Sequence, residues 1–391
     1  MQRRFGMLIA SIALLLLVGA GCAVTQDAED AATNGGGETS TEPIKVGFIG
    51  PLTGDAVVYG EPAKEIQQMA VDEINEAGGV NGRMLELIIE DGKCNGKDAT
   101  AAMNKLVNVD QVKYVLGGLC SGETLAAAPL ANDNNVVLIS GGSTSPDLTT
   151  DGGAYFFRTI PSDANQGKVL AELAYNTNEW KKVGAIQEQT DYATGFYKAF
   201  ADRFEELGGE ITVEAFPSNS TDFRTALTKL KAGEPDALLV SVQAPAPSAL
   251  ILKQAKELGW NLPTVGIDAI VSSDLVSTEA ALYEGMYGAI QSLDEDNETL
   301  KRLVDGYKAR YNAEEVPFLN YGQAEYDAVY LLAEAIGEVG DDSVKVRQWF
   351  LDVDGWVGAM GATAFDDNGD RAIGGHTIVQ IVNGEAVPLA E

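Results

Sequence analysis

Strand-like and helix-like segments alternate along the chain from Ile44 onward. IKVGFIG has the alternation and the branched side chains of a strand, and MLELIIED is the next segment of this kind. Between them, apolar residues recur at helical spacing from Ile66 to Ile74, in a helix that we expect to start near Pro62 and to end at Gly78. This alternation predicts an α/β fold with parallel sheets, whose ligands bind outside the carboxyl ends of the strands.

A second series of the same kind begins near residue 164. INEAGGVNGRMLELIIED and FEELGGEITVEAF share one plan, a helix followed by two glycines and a strand, which predicts two similarly built lobes. The last third differs, because it carries two longer helical segments, ETLKRLVDGYKARYN and QAEYDAVYLLAEAIGEVG. A strand pair with an Asn383-Gly384 turn follows them.

The N-terminal 43 residues have the features of targeting and tethering segments. Two arginines precede an apolar stretch too short to span a bilayer comfortably, which predicts a signal peptide over residues 1–21. Small residues lead into Cys22 as in a bacterial lipobox, although Gly19 stands where lipoboxes favour leucine or valine. We expect Cys22 to be lipidated, with ordinary secretion as the alternative. Residues 22–43 then form a polar, flexible tether.

Charge and the scarcity of histidine and cysteine exclude several classes of function. The chain has 58 acidic and 27 basic residues, a formal net charge of −31, which argues against binding to nucleic acid or to anionic lipid. His376 is the single histidine and no CxxC occurs, so zinc clusters, Ser-His-Asp hydrolysis and Cys-His catalysis each lack a necessary part. In an exported protein, Cys94 and Cys120 form a disulfide by default.

Two loops rich in small residues follow strand-like segments. In GGLCSGET, residues 117–124, Ser121 lies at the expected start of a helix, where N–H groups and the helix dipole suit a carboxylate or a phosphate. The alternative is that Ser121 only caps the helix. ISGGSTSPDLT, residues 139–149, is a second such loop. Neither loop matches GxGxxG or a Walker P-loop, so we expect no nucleotide cofactor.

These loops and their surroundings resemble the leucine/isoleucine/valine-binding branch of the periplasmic binding proteins. The resemblance runs from Ile44 to about Gly375 and includes EDGKCNGKD, FRTIPSDANQGKVLA, TDFRTALTKLKAGEPDALLV and ILKQAKELGWNLPTVGID. It implies two Rossmann-like lobes joined by three crossovers, with a ligand cleft between them, hinge closure, and delivery of the ligand to an ABC permease. We assign residues 44–162 and 292–372 to the first lobe, and 163–291 and 373–391 to the second. The crossovers near 160–163, 291–293 and 371–374 would be the hinges.

The resemblance also implies site residues and a disulfide between Cys94 and Cys120. Ser121 matches a serine that binds the ligand α-carboxylate, and Asp268 matches the acid that pairs with the α-ammonium. Gly142, Ser143 and Thr144 match the loop that binds both groups. Tyr59 falls where an aromatic residue borders the side-chain pocket, and Tyr192 matches a tyrosine that closes over the ligand. Gln243 supplies an amide where the family commonly has an aromatic ring.

The loops of the second lobe depart from the family pattern. SVQAPAPSA lacks the usual aromatic residue, and QEQTDYATG differs from the commoner loop. Branched-chain specificity therefore does not follow from the resemblance, whereas the residues that anchor the amino-acid backbone are retained. Urea, a short amide, an aromatic acid or a purely sensory role are the alternatives. An enzyme with Ser121 or Cys120 as nucleophile, assisted by Asp268 or Glu123, is disfavoured. We expect a monomeric, extracytoplasmic binding protein with an amino-acid ligand, and neither metal nor cofactor.

Overall fold

The computed structural model describes residues 42–389. The predicted signal peptide, Cys22 and the tether up to residue 41 lie outside the described residues. Within residues 42–389, no helix combines the length and the apolar character needed to cross a membrane.

The first lobe is built on a parallel sheet with the strand order β2-β1-β3-β4-β5. Its strands are β1 (Ile44–Gly50), β2 (Leu85–Asp91), β3 (Tyr114–Gly117), β4 (Val137–Ser140) and β5 (Phe156–Arg158). The intervening helices are α1 (Val57–Glu76), α2 (Gly96–Asn108), α3 (Ser121–Asp133) and α4 (Leu148–Asp151). Because the strand order reverses between β1 and β3, the loops after these strands border a crevice at the carboxyl edge.

The second lobe repeats this strand order as β7-β6-β8-β9-β10, and its crevice lies after β6 and β8. The strands are β6 (Lys182–Glu188), β7 (Glu210–Phe216), β8 (Ala237–Ser241), β9 (Thr264–Gly266) and β10 (Tyr287–Gln291). The helices are α5 (Asp163–Glu172), which continues into a π-helical turn (Leu173–Thr177), α6 (Asp191–Glu206), α7 (Arg224–Ala232), α8 (Pro245–Glu257), α9 (Asp268–Val271), α10 (Leu275–Thr278) and α11 (Ala280–Tyr283).

The last third of the chain contributes to both lobes. Three helices, α12 (Glu298–Tyr311), α13 (Leu319–Val339) and α14 (Ser343–Asp352), precede a small hairpin of β11 (Trp356–Gly358) and β12 (Gly361–Thr363). The closing hairpin, β13 (His376–Val382) and β14 (Glu385–Pro388), extends the second sheet antiparallel to β10. The prediction of an α/β fold with two lobes and parallel-sheet cores is therefore confirmed, with an antiparallel hairpin at one edge of the second sheet.

Hydrophobic cores cover both faces of the first sheet. Successive side chains of β3 alternate between them: Tyr114 and Leu116 pack with Tyr326 of α13, whereas Val115 packs with Met103 of α2. This two-residue period is that of a strand buried on both faces. Helix α13, although remote in sequence, is thus an integral part of the first lobe.

The prediction that the first helix starts near Pro62 was wrong. The helix begins at Val57, so that Pro62 lies inside it. The extra turn is held because Ala56 and Tyr59 are buried in a core shared with the second lobe. That burial offsets the one intrahelical hydrogen bond that proline cannot donate. Helix α14 was not predicted at all.

Candidate ligand-binding site

Loops at the carboxyl edges of the two sheets make contact across the cleft between the lobes. The Tyr59 hydroxyl of α1 donates a hydrogen bond to the main-chain carbonyl of Gln243, which follows β8, at 3.3 Å. The Ser145 hydroxyl, after β4, donates to the main-chain carbonyl of Asp191 at 3.2 Å. The site therefore lies where both strand orders reverse, as expected for open α/β sheets.

The loop between β3 and α3 is fixed by Glu123, which is fully buried. Its carboxylate accepts hydrogen bonds from the main-chain N–H groups of Leu119 (3.1 Å), Cys120 (3.0 Å) and Cys94 (2.8 Å). A disulfide joins Cys94 to Cys120. Burial raises the pKa of Glu123 to about 7, against the opposing effect of these three hydrogen bonds. The cysteine of this loop thus belongs to its framework.

Ser121 is the first residue of α3, and its side chain is buried at the edge of the cleft. Its Oγ accepts a hydrogen bond from the Ser145 N–H at 3.2 Å, which leaves the hydroxyl hydrogen free to be donated to another acceptor. Together with the positive end of the α3 dipole, this donor suits an anionic group.

The loop after β4 is bound to the loop after β3 by buried hydroxyl groups. The Ser140 hydroxyl donates to the Gly118 carbonyl at 2.7 Å and accepts from the Ser143 N–H at 2.9 Å. The Ser143 hydroxyl lies 2.6 Å from the Thr124 hydroxyl and 2.8 Å from the Gly118 carbonyl. The polar contacts of Ser143 are thus with the framework, whereas Gly142, its neighbour, lines the cavity.

Thr144 is fully buried and bound to a residue that the sequence analysis did not single out as a ligand contact. Its hydroxyl donates to Asp163 Oδ2 at 2.7 Å, and its carbonyl accepts the Asp163 N–H at 2.9 Å. Asp163 begins α5, is fully buried, and its Oδ1 has no hydrogen-bond partner among the described residues. Burial, and after it the negative charge of Asp268, raises the pKa of Asp163 well above its usual range.

Asp268 begins the short helix α9 and is fully buried, with donors from both lobes around it. Oδ1 accepts a short hydrogen bond from the Tyr192 hydroxyl. Oδ2 accepts from the Tyr321 hydroxyl at 2.7 Å and from Gln291 Nε2 at 2.8 Å. Burial, and after it the charge of Asp268, raises the pKa values of both tyrosines well above the usual range. Both phenols therefore remain donors that orient the carboxylate.

A cavity in the cleft brings together five of the eight predicted ligand contacts, namely Tyr59, Ser121, Gly142, Tyr192 and Gln243. Ser143, Thr144 and Asp268 are fully buried and do not line it, although Tyr192 connects Asp268 to its wall.

The cavity also has lining residues that sequence reasoning missed. Phe318 and Tyr321 place their rings 4.6 Å and 6.1 Å from the ring of Tyr59, and Glu325 follows one turn later on α13. These residues come from the last third of the chain, where no local motif signalled a site. Two aromatic residues shortly before an acid in a buried helix do not form a ligand-binding motif that a sequence reveals.

Within residues 42–389, no cluster of three or more histidine, cysteine or acidic side chains has the arrangement of a metal site. The polar groups described in the cleft are hydroxyl groups, a helix N-terminus and buried carboxylates.

Comparison with known proteins identifies the family of this fold and cleft. Residues 43–386 match the model of a family described as periplasmic binding protein. The chain belongs to the periplasmic binding protein family. It is 30% identical, over 85% of its length and 88% of the relative's, to a leucine-, isoleucine-, valine-, threonine- and alanine-binding protein of Pseudomonas aeruginosa. Membership of the periplasmic binding protein family implies an extracytoplasmic location.

Solved structures of periplasmic binding proteins agree with the architecture of this chain. The branched-chain amino acid transporter substrate-binding protein LivJ of Streptococcus pneumoniae, solved with isoleucine, is 30% identical with a TM-score of 0.77, covering 89% of this chain and all of that one. A solute-binding protein from R. palustris, solved with benzoate, is 17% identical with a TM-score of 0.78, covering 89% and 96%. The second likeness concerns the fold alone.

Proposed function

We propose that this periplasmic binding protein captures an α-amino acid in the interlobe cleft for an ABC importer. The observation that carries the proposal is that groups suited to an anion and groups suited to a cation occur in one cleft. Ser121 and the N-terminus of α3 suit an anion, and the buried carboxylates of Asp268 and Asp163 suit a cation. A free amino acid carries both charges on one carbon atom, and closure excludes water that would otherwise screen them.

In this proposal, the α-carboxylate receives hydrogen bonds from the Ser121 hydroxyl and from the loop of Gly142, Ser143 and Thr144. The α-ammonium lies between Asp268 and the Thr144 hydroxyl. Asp163 Oδ1 has no hydrogen-bond partner among the described residues, and the charge of Asp268 acts on the same buried carboxyl group. Two buried acids close to each other favour a ligand with a positive charge.

The side chain of the ligand would contact the walls of the cavity, which are largely apolar. Tyr59, Ile66, Leu119 and Phe318 lie there, while Gln243 adds an amide where the family commonly has a ring. These contacts support a small to medium side chain, like those of the branched-chain amino acids.

Closure by hinge bending follows from where the site residues come from. Tyr321 belongs to the first lobe and Tyr192 to the second, and both donate to Asp268. We place the lobe boundaries, and hence the hinges, at the crossovers 160–163, 291–293 and 371–374. A ligand that touches both lobes then stabilises the closed state by its differential affinity.

Delivery to a permease and attachment to the membrane complete the proposal. The segment of residues 1–21, Cys22 and the polar tether support export and anchoring by lipid, with the body acting as a monomer. Enzymatic activity is disfavoured, because the relatives are binding proteins and Cys120 is part of a disulfide.

An aromatic acid is the second candidate ligand. The rings of Tyr59, Phe318 and Tyr321 surround part of the cavity, and a protein of the same fold was solved with benzoate. Against it, an aromatic acid has no positive group to pair with Asp268, which makes the amino acid the better fit.

The test is a thermal-shift screen of the full chain in detergent against the common L-amino acids, benzoate and urea. A ligand specific for the folded state adds RT ln(1 + [L]/Kd), about 4 kcal/mol at a thousandfold excess over Kd. We expect stabilisation by at least one amino acid, together with a smaller radius of gyration by small-angle scattering. Stabilisation by benzoate or urea and by no amino acid would contradict the proposal.

A further inference from the structure

A buried acid lies at the wall of the ligand cavity and has no role in the proposed binding of the amino-acid backbone. Glu325 of α13 lines the cavity and is only 1% exposed. Its Oε2 accepts a hydrogen bond from Gln67 Nε2 of α1, and Gln67 is itself fully buried. Oε1 of Glu325 and Oε1 of Gln67 have no hydrogen-bond partner among the described residues. Two acceptor oxygens are thus unpaired at this place.

Much of the wall of the cavity that Glu325 lines is apolar, so packing alone does not explain an acid there. Ile66, Leu119 and Phe318 line the same cavity. An apolar side chain at position 325 would avoid the cost of desolvating a carboxyl group. A buried oxygen without a hydrogen bond destabilises the folded protein, and a hydrogen-bond donor would offset that cost. Burial also raises the pKa of Glu325 to about 7.

Glu325 is held against the loop that binds the ligand. A Cβ atom added to Gly141 would lie 2.6 Å from Glu325 Cδ and 2.7 Å from the Glu325 main-chain nitrogen. Gly141 immediately precedes Gly142, which lines the cavity. The Glu325 carboxyl group therefore lies beside the loop that is expected to bind the ligand backbone, on the wall of the same cavity.

We propose that Glu325, supported by Gln67, is a specificity-determining residue that favours amino acids whose side chain carries a hydrogen-bond donor, such as a hydroxyl or an amide. This inference rests on the proposed function and refines it. The donor of the ligand pairs with an oxygen that otherwise has no partner, whereas an apolar side chain of equal size leaves that oxygen unpaired. The remaining walls accept the apolar part of either ligand.

The test uses ligand pairs of equal size that differ in polarity, threonine with valine and asparagine with leucine. Calorimetric titration of the full chain should find that threonine binds more tightly than valine. In Glu325→Leu, the threonine-to-valine affinity ratio should fall about 10- to 100-fold, because only the polar ligand loses its partner. Gln67→Leu, one position further from the ligand, should lower the ratio less.

Two outcomes would overturn the inference, and they are distinguishable. If wild type and Glu325→Leu bind both amino acids with the same ratio, Glu325 does not select the side chain, and the proposed function stands. If no amino acid binds to the wild-type chain, the proposed function fails and this inference fails with it. If Glu325→Leu does not fold, the threonine-to-valine affinity ratio of the wild-type chain tests the inference. Binding of valine that is as tight as that of threonine, or tighter, contradicts it.

Discussion

Asp268 is surrounded by donors that hold its charge in one orientation before any ligand is considered. Tyr192 and Tyr321 reach it from different lobes, and Gln291 supplies a third hydrogen bond. Asp163 lies near enough for the charge of Asp268 to raise its pKa. Two acids in one buried region repel each other unless one is neutral or a cation joins them. The ligand ammonium is such a cation, and this makes Asp268 the residue by which the amino-acid assignment is best tested.

We expect Asp268→Ala to weaken binding of the amino acid found in the screen by roughly 30-fold to several thousandfold. Truncating one partner of a buried charge pair costs about 2–5 kcal/mol, since the ammonium is left buried without its counter-charge. Ser121→Ala removes one neutral donor, so about 1–3 kcal/mol is expected from that change. Calorimetric titration measures both effects.

Asp274→Ala is the matched control, because Asp274 is an exposed acid of the same lobe that does not line the cavity. It removes the same charge from the chain and should leave affinity unchanged. Equal affinity of Asp268→Ala and wild type would argue for a ligand without an ammonium group.

Among the elements, α3 has the most firmly fixed N-terminus in the site. Glu123, in its first turn, accepts three main-chain N–H groups, and the disulfide connects the residue before the helix to the loop after β2. The helix therefore presents Ser121 from a position fixed by both hydrogen bonds and a covalent link. Ligand binding does not need to order this loop, which lowers the entropic cost of association.

We predict that the disulfide is complete in the folded protein and stabilises it by about 3–4 kcal/mol. Cys94 and Cys120 are separated by 26 positions, and the loop-entropy model gives that magnitude for a loop of this length. A Cys22→Ser chain, unfolded without reductant, should have no titratable thiol. Further replacement of Cys94 and Cys120 by serine should lower the unfolding free energy measured with urea. Two free thiols in the Cys22→Ser chain would contradict the prediction.

Local sequence patterns were sufficient to predict the alternating strands and helices and the loops at the strand ends. The spacing of apolar residues that distinguishes a strand from a helix is a property of short segments. It did not locate the start of α1, since burial of Ala56 and Tyr59 against the other lobe extends the helix. Nor did it place Phe318 and Glu325 in the cavity. A helical period tells which face is buried, but it does not tell which distant helix covers that face.

For the molecule as a whole, three acids are buried with raised pKa values in the first lobe. Glu123, Glu325 and Asp327 each have a pKa raised to about 7, with burial as the largest cause. Asp327 accepts the main-chain N–H groups of Ala359 and Met360. A folded-state pKa above the unfolded value means that the folded state binds more protons between the two values.

We therefore expect the thermal midpoint to rise as the pH is lowered from 8 to about 5.5. Each acid contributes stability that is present below its unfolded pKa near 4 and is lost as the pH rises through 7, at about 1.4 kcal/mol per pKa unit. Calorimetric melting curves across this range measure the slope. Glu325→Gln should make it shallower, whereas Glu314→Gln, an exposed control, should not. A midpoint that rises with pH would contradict this account.

The late position of α13 in the sequence has a consequence for the order of events during synthesis. The face of the first sheet that carries Tyr114 and Leu116 is covered by α13, which leaves the ribosome only after most of the second lobe has been made. At the usual rates of translation this interval is on the order of 10–30 s. Of the two helices α1 and α13, only α1 is available to pack on that face throughout this interval, so part of the face stays exposed and available to chaperones until α13 has been translated.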